Sequence, residues 1–234
     1  MTTIYLIPVY LDENVIETIP VYVLDAIKKC NVFFVENEKT ARRFLKKLDK
    51  NIVIDDFEWF TIDKNQGEPV AAFRQKVEEK KTIGIMSEAG CPGVADPGQK
   101  LVSIAQEMNC RLKPLVGPNS LLLALMASGL NGQHFEFVGY LPIESAARNK
   151  SIKEIEATSA KNNSTQVFIE TPYRNNQMVD SLISQCRKNT RLCIAVNITG
   201  TGEKIMTREI GWWEKNKPDI HKQPAIFLLQ AGGK

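Results

Sequence analysis

The 234-residue sequence predicts an α/β fold built from two αβα domains with mainly parallel sheets. Short β-branched and apolar runs alternate with amphipathic helical stretches along the chain, a pattern typical of parallel sheets covered by helices. The length suits two domains of about 110–120 residues each. The alternation begins again after Gly117-Pro118, so we predict domains at residues 1–116 and 117–234.

The first half contains five strand-length apolar runs separated by residues at helical spacing. Strands are predicted at Ile4–Val9, Val32–Val35, Ile52–Ile54, Thr82–Met86 and Arg111–Val116. Helices are predicted after Pro20, over residues 41–48 and 70–77, and at Leu101–Met108.

The second half repeats this alternation. Helices are predicted at Leu121–Ala127, residues 146–160 and Met178–Arg187, and strands at Phe135–Leu141, Val167–Ile169 and Leu192–Ile198. The last two runs, Ile205–Ile210 and Ala225–Leu229, are predicted to be closing strands that are antiparallel in part.

Composition and motif content exclude several functional classes. The five cysteines show no C-x-x-C spacing and only two histidines are present, so we expect free thiols and no metal site. The sequence contains no P-loop, G-x-G-x-x-G, G-x-S-x-G or H-E-x-x-H motif. The absence of a signal peptide pattern and of a long apolar run predicts a cytoplasmic protein that does not enter membranes.

Charge is unevenly distributed along the chain. Residues 1–115 carry 16 Lys and Arg against 17 Asp and Glu, whereas residues 116–234 carry 14 against 10. This asymmetry permits an anionic substrate without requiring one. A basic helix face, formed by Lys39, Arg42, Arg43, Lys46 and Lys47, is either a solvated surface or a phosphate contact.

The segment Ser87–Gly98 is the most informative part of the sequence. It follows a predicted strand and contains three glycines and two prolines in twelve residues. Ligands of parallel α/β sheets bind beyond the carboxyl ends of strands, and positions without a Cβ allow a ligand close to the backbone. The alternative is a structural turn in which Asp96 caps the next helix.

Two further segments place polar residues after a strand. Gly117-Pro118-Asn119-Ser120 leads into an apolar helix and either caps that helix or presents N–H groups to a ligand. Phe168–Arg174 ends a strand with Glu170 and Arg174, which are either a simple ion pair or part of a site.

In order and spacing, these segments resemble the tetrapyrrole (corrin/porphyrin) methylase family. The closest resemblance is to the branch that methylates a cytidine ribose 2′-hydroxyl of small-subunit rRNA. Ser87–Gly98 is similar to its S-D-A-G-T-P-x-x-x-D-P-G motif, and Pro114–Leu130 to its P-x-P-G-P-S-A-x-x-x-A-L-x-x-S-G-L run. Phe137–Arg148 resembles its F-x-G-F-L-P…R stretch, and Thr165–Arg174 its T-x-x-F-x-E-A-P-H-R stretch.

The resemblance implies S-adenosylmethionine (SAM) bound in a cleft between two domains, and a homodimer. It places the cofactor contacts on Pro8, Gly90, Cys91, Pro92, Val94, Ala95, Asn119, Ser120, Glu170, Thr171 and Ala225. Methyl transfer to a hydroxyl benefits from a base, and Glu88 and Glu170 are the catalytic candidates. No metal is required.

The sequence departs from that branch in the loops expected on the substrate side. The branch motifs T-P-I-G-N-L-x-D, E-D-T-R-x-T and R-E-L-T-K are altered at Ile7–Asn14, Glu36–Thr40 and Val196–Gly200. The acceptor therefore stays open between an rRNA ribose and a tetrapyrrole or other small molecule. A non-catalytic, RNA-associated protein that binds SAM is the third alternative.

Overall fold

The computed structural model describes residues 1–62 and 67–232, which group into two units, Met1–Asn119 and Ser120–Lys234. The observed division lies three residues after the predicted boundary at 116/117. Each unit has its own five-stranded sheet with helices, so the α/β class is confirmed.

The first unit contains a fully parallel sheet with the strand order β3-β2-β4-β1-β5. Its strands are β1 (Thr3–Ile7), β2 (Val32–Val35), β3 (Glu58–Thr61), β4 (Ile83–Met86) and β5 (Arg111–Pro114). Its helices are α1 (Tyr22–Ile27), α2 (Glu38–Leu48), α3 (Gly67–Glu78) and α4 (Gln99–Glu107). Strands β2 and β4 are buried at every position, as expected for a sheet covered on both faces.

The predicted strand Ile52–Ile54 is wrong. Ile54 instead begins a short 3-10 turn that ends at Asp56, and the edge strand β3 follows it. Aromatic packing explains the register of this strand, because Trp59 stacks on Phe33 at 5.0 Å and Phe60 on Phe34 at 4.9 Å between ring centroids.

The second unit contains a mixed sheet with the strand order β6-β7-β10-β8-β9. Its strands are β6 (Phe135–Tyr140), β7 (Thr165–Ile169), β8 (Arg191–Val196), β9 (Lys204–Glu209) and β10 (Ala225–Gln230). Its helices are α5 (Ser120–Ser128), α6 (Ser145–Asn162), α7 (Asn175–Gln185) and α8 (Ile210–Trp213).

The mainly parallel arrangement predicted for both sheets holds for the first sheet but not for the pairings of the second. Only β6 and β7 form a parallel pair, whereas β10 pairs antiparallel with β7 and β8, and β9 pairs antiparallel with β8. The reason is that β10 inserts between β7 and β8. These two strands still run in the same direction, so their carboxyl ends lie at one edge.

Gly84 in β4 fits where no side chain would. A Cβ at this position would lie 2.6 Å from the ring of Phe33 and 2.9 Å from Cδ1 of Ile7, both fully buried. The glycine therefore allows β4 to lie between β2 and β1 while the side chains of Phe33 and Ile7 fill the core beside it.

We expect Gly84→Ala to destabilise the fold by about 1–3 kcal/mol, because the added methyl overfills the core around Phe33. Gly132→Ala is the matched control, since a Cβ there meets no atom within 4 Å. Thermal unfolding would measure both variants. Equal melting temperatures for the two variants would contradict the packing argument.

Candidate functional site

The loops that follow β1 and β4 are joined by a short antiparallel bridge. The Val9 N–H donates to the Gly90 carbonyl at 2.9 Å, and the Gly90 N–H donates to the Val9 carbonyl at 3.0 Å. Gly90 has a φ of +75°, a left-handed conformation that glycine adopts at low cost. This bridge fixes the start of the Ser87–Gly98 loop against the end of β1.

The loop after β5 packs against the same place. A Cβ at Gly117 would lie 2.1 Å from Cβ of Pro8, so only glycine permits this approach. The Cys91 thiol donates to the Pro118 carbonyl at 3.5 Å, and burial raises the pKa of that thiol. The structure thus brings the predicted residues Pro8, Gly90 and Cys91 together with the segment that ends at Asn119.

Asp96 organises the second part of the Ser87–Gly98 loop. Its Oδ1 accepts N–H groups from Gly93 at 3.1 Å and from Gly98 at 2.6 Å, which closes the turn just before α4. This is the structural role considered for Asp96, although its side chain bonds to the residue before the helix and not within it. Val94 and Ala95 lie exposed at the tip of this turn, whereas Pro92 is buried.

Glu36, directly after β2, links both parts of this loop. Its Oε1 accepts the Glu88 N–H at 2.9 Å, and its carboxyl group is hydrogen-bonded to the Asp96 side chain. The pKa of Glu36 is raised to about 7, chiefly by burial and further by the Asp96 hydrogen bond and the nearby Asp96 and Glu88 charges, whereas the bond from the Glu88 N–H lowers it. Asp96 Oδ2 is buried and has no fixed donor among the described residues, so a proton on Glu36 supplies the missing hydrogen bond.

A cavity of about 250 Å³ adjoins this carboxyl cluster within the first unit. Glu88 is exposed at its wall, and Glu13 and Arg43 lie on the same wall 3.6 Å apart, measured from Glu13 Oε2 to Arg43 Nη1. The remaining lining residues come from the loop after β1, the start of α2 and the loop after β4: Val9, Tyr10, Leu11, Thr40, Ala41, Ser87 and Ala89.

In the second unit, the predicted residues lie at the edge where β7 and β8 end. Glu170 follows β7, and its Oε1 accepts the Thr171 N–H and an Arg174 N–H, each at 2.6 Å. Ala225 begins β10 opposite Val196, and Ile226 pairs with Ile169. Glu170, Thr171 and Ala225 are therefore neighbours in the structure although they are far apart in sequence.

Three buried polar atoms at this edge have no partner among the described residues. They are Arg174 Nε, Asn175 Oδ1 and Thr199 Oγ1. Asn175 is fully buried, and its amide group donates to the Gln223 carbonyl at 2.6 Å. Because such atoms normally pair with water or a ligand, they mark a place where polar groups of a ligand can be bound.

The sequence interpretation did not single out Asn175, and it named Glu36 and Thr199 only within stretches that depart from a motif. Each follows the carboxyl end of a strand, which was the available signal. Of the predicted residues, Ser120, Glu170, Thr171 and Ala225 belong to the second unit. The others, Pro8, Glu88, Gly90, Cys91, Pro92, Val94, Ala95 and Asn119, belong to the first.

Two features are absent from the described ranges 1–62 and 67–232. No three His, Cys, Asp or Glu side chains there are grouped as in a metal site. None of the helices in those ranges is long and apolar enough to cross a lipid bilayer.

Two relatives carry the name ribosomal RNA small subunit methyltransferase I. The protein from Halalkalibacterium halodurans is 30% identical over 64% of this chain, and the one from Escherichia coli O157:H7 is 28% identical over 72%. The chain spans about three fifths of their lengths, 61% and 58% respectively.

A solved structure with the same fold is uroporphyrin-III C-methyl transferase from Thermus thermophilus, in complex with S-adenosyl homocysteine. It is 14% identical, the match covers 97% of each chain, and the TM-score is 0.59. Residues 16–211 match the sequence profile of the tetrapyrrole (corrin/porphyrin) methylases. With most of its length matched, the chain belongs to the tetrapyrrole (corrin/porphyrin) methylase family.

Proposed function

We propose that this protein is a SAM-dependent methyltransferase whose acceptor is a ribose 2′-hydroxyl of small-subunit rRNA. The observation that carries the proposal is the Ser87–Gly98 loop, whose backbone is held by Val9, Glu36 and Asp96 with its tip exposed. Family membership and the names of the two relatives support both the cofactor and the acceptor.

The residues present fit SAM chemically. SAM carries a positively charged sulfonium, and the Ser87–Gly98 loop contains two carboxylates, Glu88 and Asp96, but no Lys or Arg. Gly90 and Gly93 adopt positive φ, which lets the loop turn sharply between the end of β4 and its exposed tip at Val94 and Ala95. At the edge of the second sheet, the unpartnered Asn175 Oδ1 and Thr199 Oγ1 are available to polar groups such as hydroxyls or amines.

We assign the loop residues Gly90, Cys91, Pro92, Val94 and Ala95, with Pro8 and Asn119, to holding SAM in the first unit. Ser120, Thr171 and Ala225 take the same role in the second. When bound, SAM would supply a methyl group attached to a positively charged sulfur, and that sulfur would become a neutral thioether once the methyl group is transferred. Alignment of the acceptor with that methyl group provides most of the rate enhancement in such a displacement.

Glu88 is the better of the two candidate bases. Its carboxylate is exposed at the cavity, where it can accept the proton that the ribose hydroxyl loses as its oxygen gains the methyl group. Glu170 is buried, and its Oε1 already accepts two hydrogen bonds, from Thr171 and Arg174. We therefore assign Glu170 to organising the edge of the second sheet.

Calorimetry and methyl transfer test the proposal together. The protein should bind SAM and S-adenosylhomocysteine, and tritium from labelled SAM should enter small-subunit rRNA at a ribose. Failure to bind either ligand at near-millimolar concentration would contradict the cofactor assignment. Binding without transfer to any acceptor would favour the non-catalytic alternative, and transfer to a tetrapyrrole would favour the small-molecule one.

We also propose a homodimer, which the family resemblance implies, and, through an rRNA acceptor, a cytoplasmic location. Sedimentation of the purified chain measures the first proposal directly, because a dimer has twice the 26.3 kDa mass of one chain. A single species at the monomer mass would contradict it.

We expect Glu88→Gln to lower kcat by about 10²–10⁴-fold, because Gln cannot accept the hydroxyl proton. The affinity for SAM should fall far less than kcat, because the loop backbone and the Asp96 carboxylate remain. Glu38→Gln, which removes a carboxylate paired with Arg42 on α2, is the matched control and should leave kcat unchanged. An unchanged kcat in Glu88→Gln would remove Glu88 from the base role.

We expect SAM affinity to fall as the pH rises through about 7, the region to which burial and Asp96 raise the pKa of Glu36. Below that pH the protonated Glu36 donates to Asp96, whereas above it two carboxylates repel and the loop loses that bond. The effect is at most about tenfold per pH unit for one linked proton. The hydrogen bond between Glu36 and Asp96 also stabilises the fold at low pH, and this stabilisation is lost as the pH rises and Glu36 ionises.

The variant Glu36→Gln tests this expectation, because its amide can donate to Asp96 and accept from Glu88 at every pH. The SAM affinity of Glu36→Gln should not show the fall with rising pH that the parent shows between pH 6 and about 8. The SAM affinity of Glu38→Gln should still show that fall. Identical pH profiles for the parent and Glu36→Gln would contradict the shared proton.

A further inference from the structure

A second region of the molecule combines an exposed tyrosine ring with a lysine and a histidine side chain. Tyr173 lies in a 3-10 turn, Pro172–Arg174, immediately after the Glu170-Thr171 pair at the end of β7. Tyr173 is 70% exposed, so its ring is accessible to a ligand.

The segment before β10 places two more groups beside this ring. Lys222 Nζ lies 5.8 Å from the centroid of the Tyr173 ring, and the His221 ring lies edge-to-face at 6.0 Å. No carboxylate among the described residues forms an ion pair with Lys222. The ammonium group of Lys222, which has no such ion pair, therefore lies next to the exposed ring of Tyr173.

The backbone holds these side chains in place. The Lys222 N–H donates to the Pro172 carbonyl at 3.0 Å, and Lys222 itself has a φ of +61°. Asp219 accepts from Asn176 at 2.8 Å, and Asn176 accepts the Ile220 N–H at 2.9 Å. Two hydrogen-bonded segments thus present the aromatic–cation cluster in a fixed geometry.

The basic face of α2 carries more charge, but most of it is paired. Arg42 pairs with Glu38 and lies 5.4 Å from the centroid of the Trp59 ring. Arg43 and Lys47 both reach Glu13, at 3.6 and 3.3 Å. These three carboxylate pairs reduce the charge that the face can offer to phosphates, whereas Lys39 and Lys46 pair with no carboxylate among the described residues.

We propose that Tyr173, His221 and Lys222 form a stacking platform for an unpaired nucleobase of the RNA strand, with Lys222 contacting the adjacent phosphate. Single-stranded RNA is bound in this way by aromatic rings on which bases stack and by cations that follow the backbone. The platform directly follows Thr171, which the proposed function assigns to holding SAM in the second unit. This inference rests on the proposed RNA acceptor.

Fluorescence anisotropy with a labelled, unstructured 12-nucleotide RNA tests the platform. Tyr173→Ala should weaken RNA binding by about 5- to 150-fold, the equivalent of ~1–3 kcal/mol for one stacked base. Tyr173→Phe should bind within about twofold of the parent, because the ring is kept. Lys222→Gln should lower the slope of log affinity against log salt by about one.

Trp212→Ala is the matched control, because Trp212 also has a cation beside its ring, Arg208 at 5.6 Å, but lies on α8. It should leave RNA affinity unchanged, and every variant should keep the SAM affinity of the parent. Equal RNA affinity of the parent and Tyr173→Ala would overturn the platform alone. A parent that binds SAM but no RNA would overturn the RNA acceptor, and the platform with it.

Discussion

The pair of hydrogen bonds between Val9 and Gly90 is the contact on which the geometry of the first unit's site depends. It connects the loops that follow two neighbouring parallel strands, so the Ser87–Gly98 segment starts from a fixed point. Gly90 must adopt φ +75° to make this contact, and Gly117 must lack a Cβ for Pro8 to pack beside it. Backbone geometry alone therefore requires glycine at these two positions, whether or not a ligand is bound.

The carboxyl cluster next to this bridge shows how the same loop can suit a cationic ligand. Glu36, Glu88 and Asp96 place three acidic groups close together, which is unfavourable when all of them are ionised. A proton shared between Glu36 and Asp96 removes one of the charges and provides the donor that Asp96 Oδ2 lacks. The carboxylates that stay ionised can offset the charge of a bound cation, whereas the shared proton preserves the hydrogen bond that holds the loop in place.

The sequence predicted the parts of the fold that depend on local pattern. Strand β2 and the loop before α4 match their predicted positions, because apolar runs and Gly-Pro turns are determined by residues that are close together in the sequence. Strand β3 was missed because its position depends on Trp59 and Phe60 stacking against a neighbouring strand. The antiparallel pairings of the second sheet were underestimated because they follow from the insertion of β10 between β7 and β8, which is a long-range choice. Glu36 and Asn175 were overlooked for the same reason, since their importance comes from burial against distant segments.

Charge gives the clearest example of what a linear sequence conceals. The α2 face has five basic residues in nine positions and is the most obvious cationic feature of the sequence. In the structure, Glu13 from a different loop neutralises part of it. Lys222 attracts no notice in the sequence, yet in the described part of the chain it has no carboxylate partner and lies beside an exposed tyrosine. What matters for an anionic partner is therefore the charge left unpaired after folding, and one such charge lies beside the strand end that carries Glu170 and Thr171.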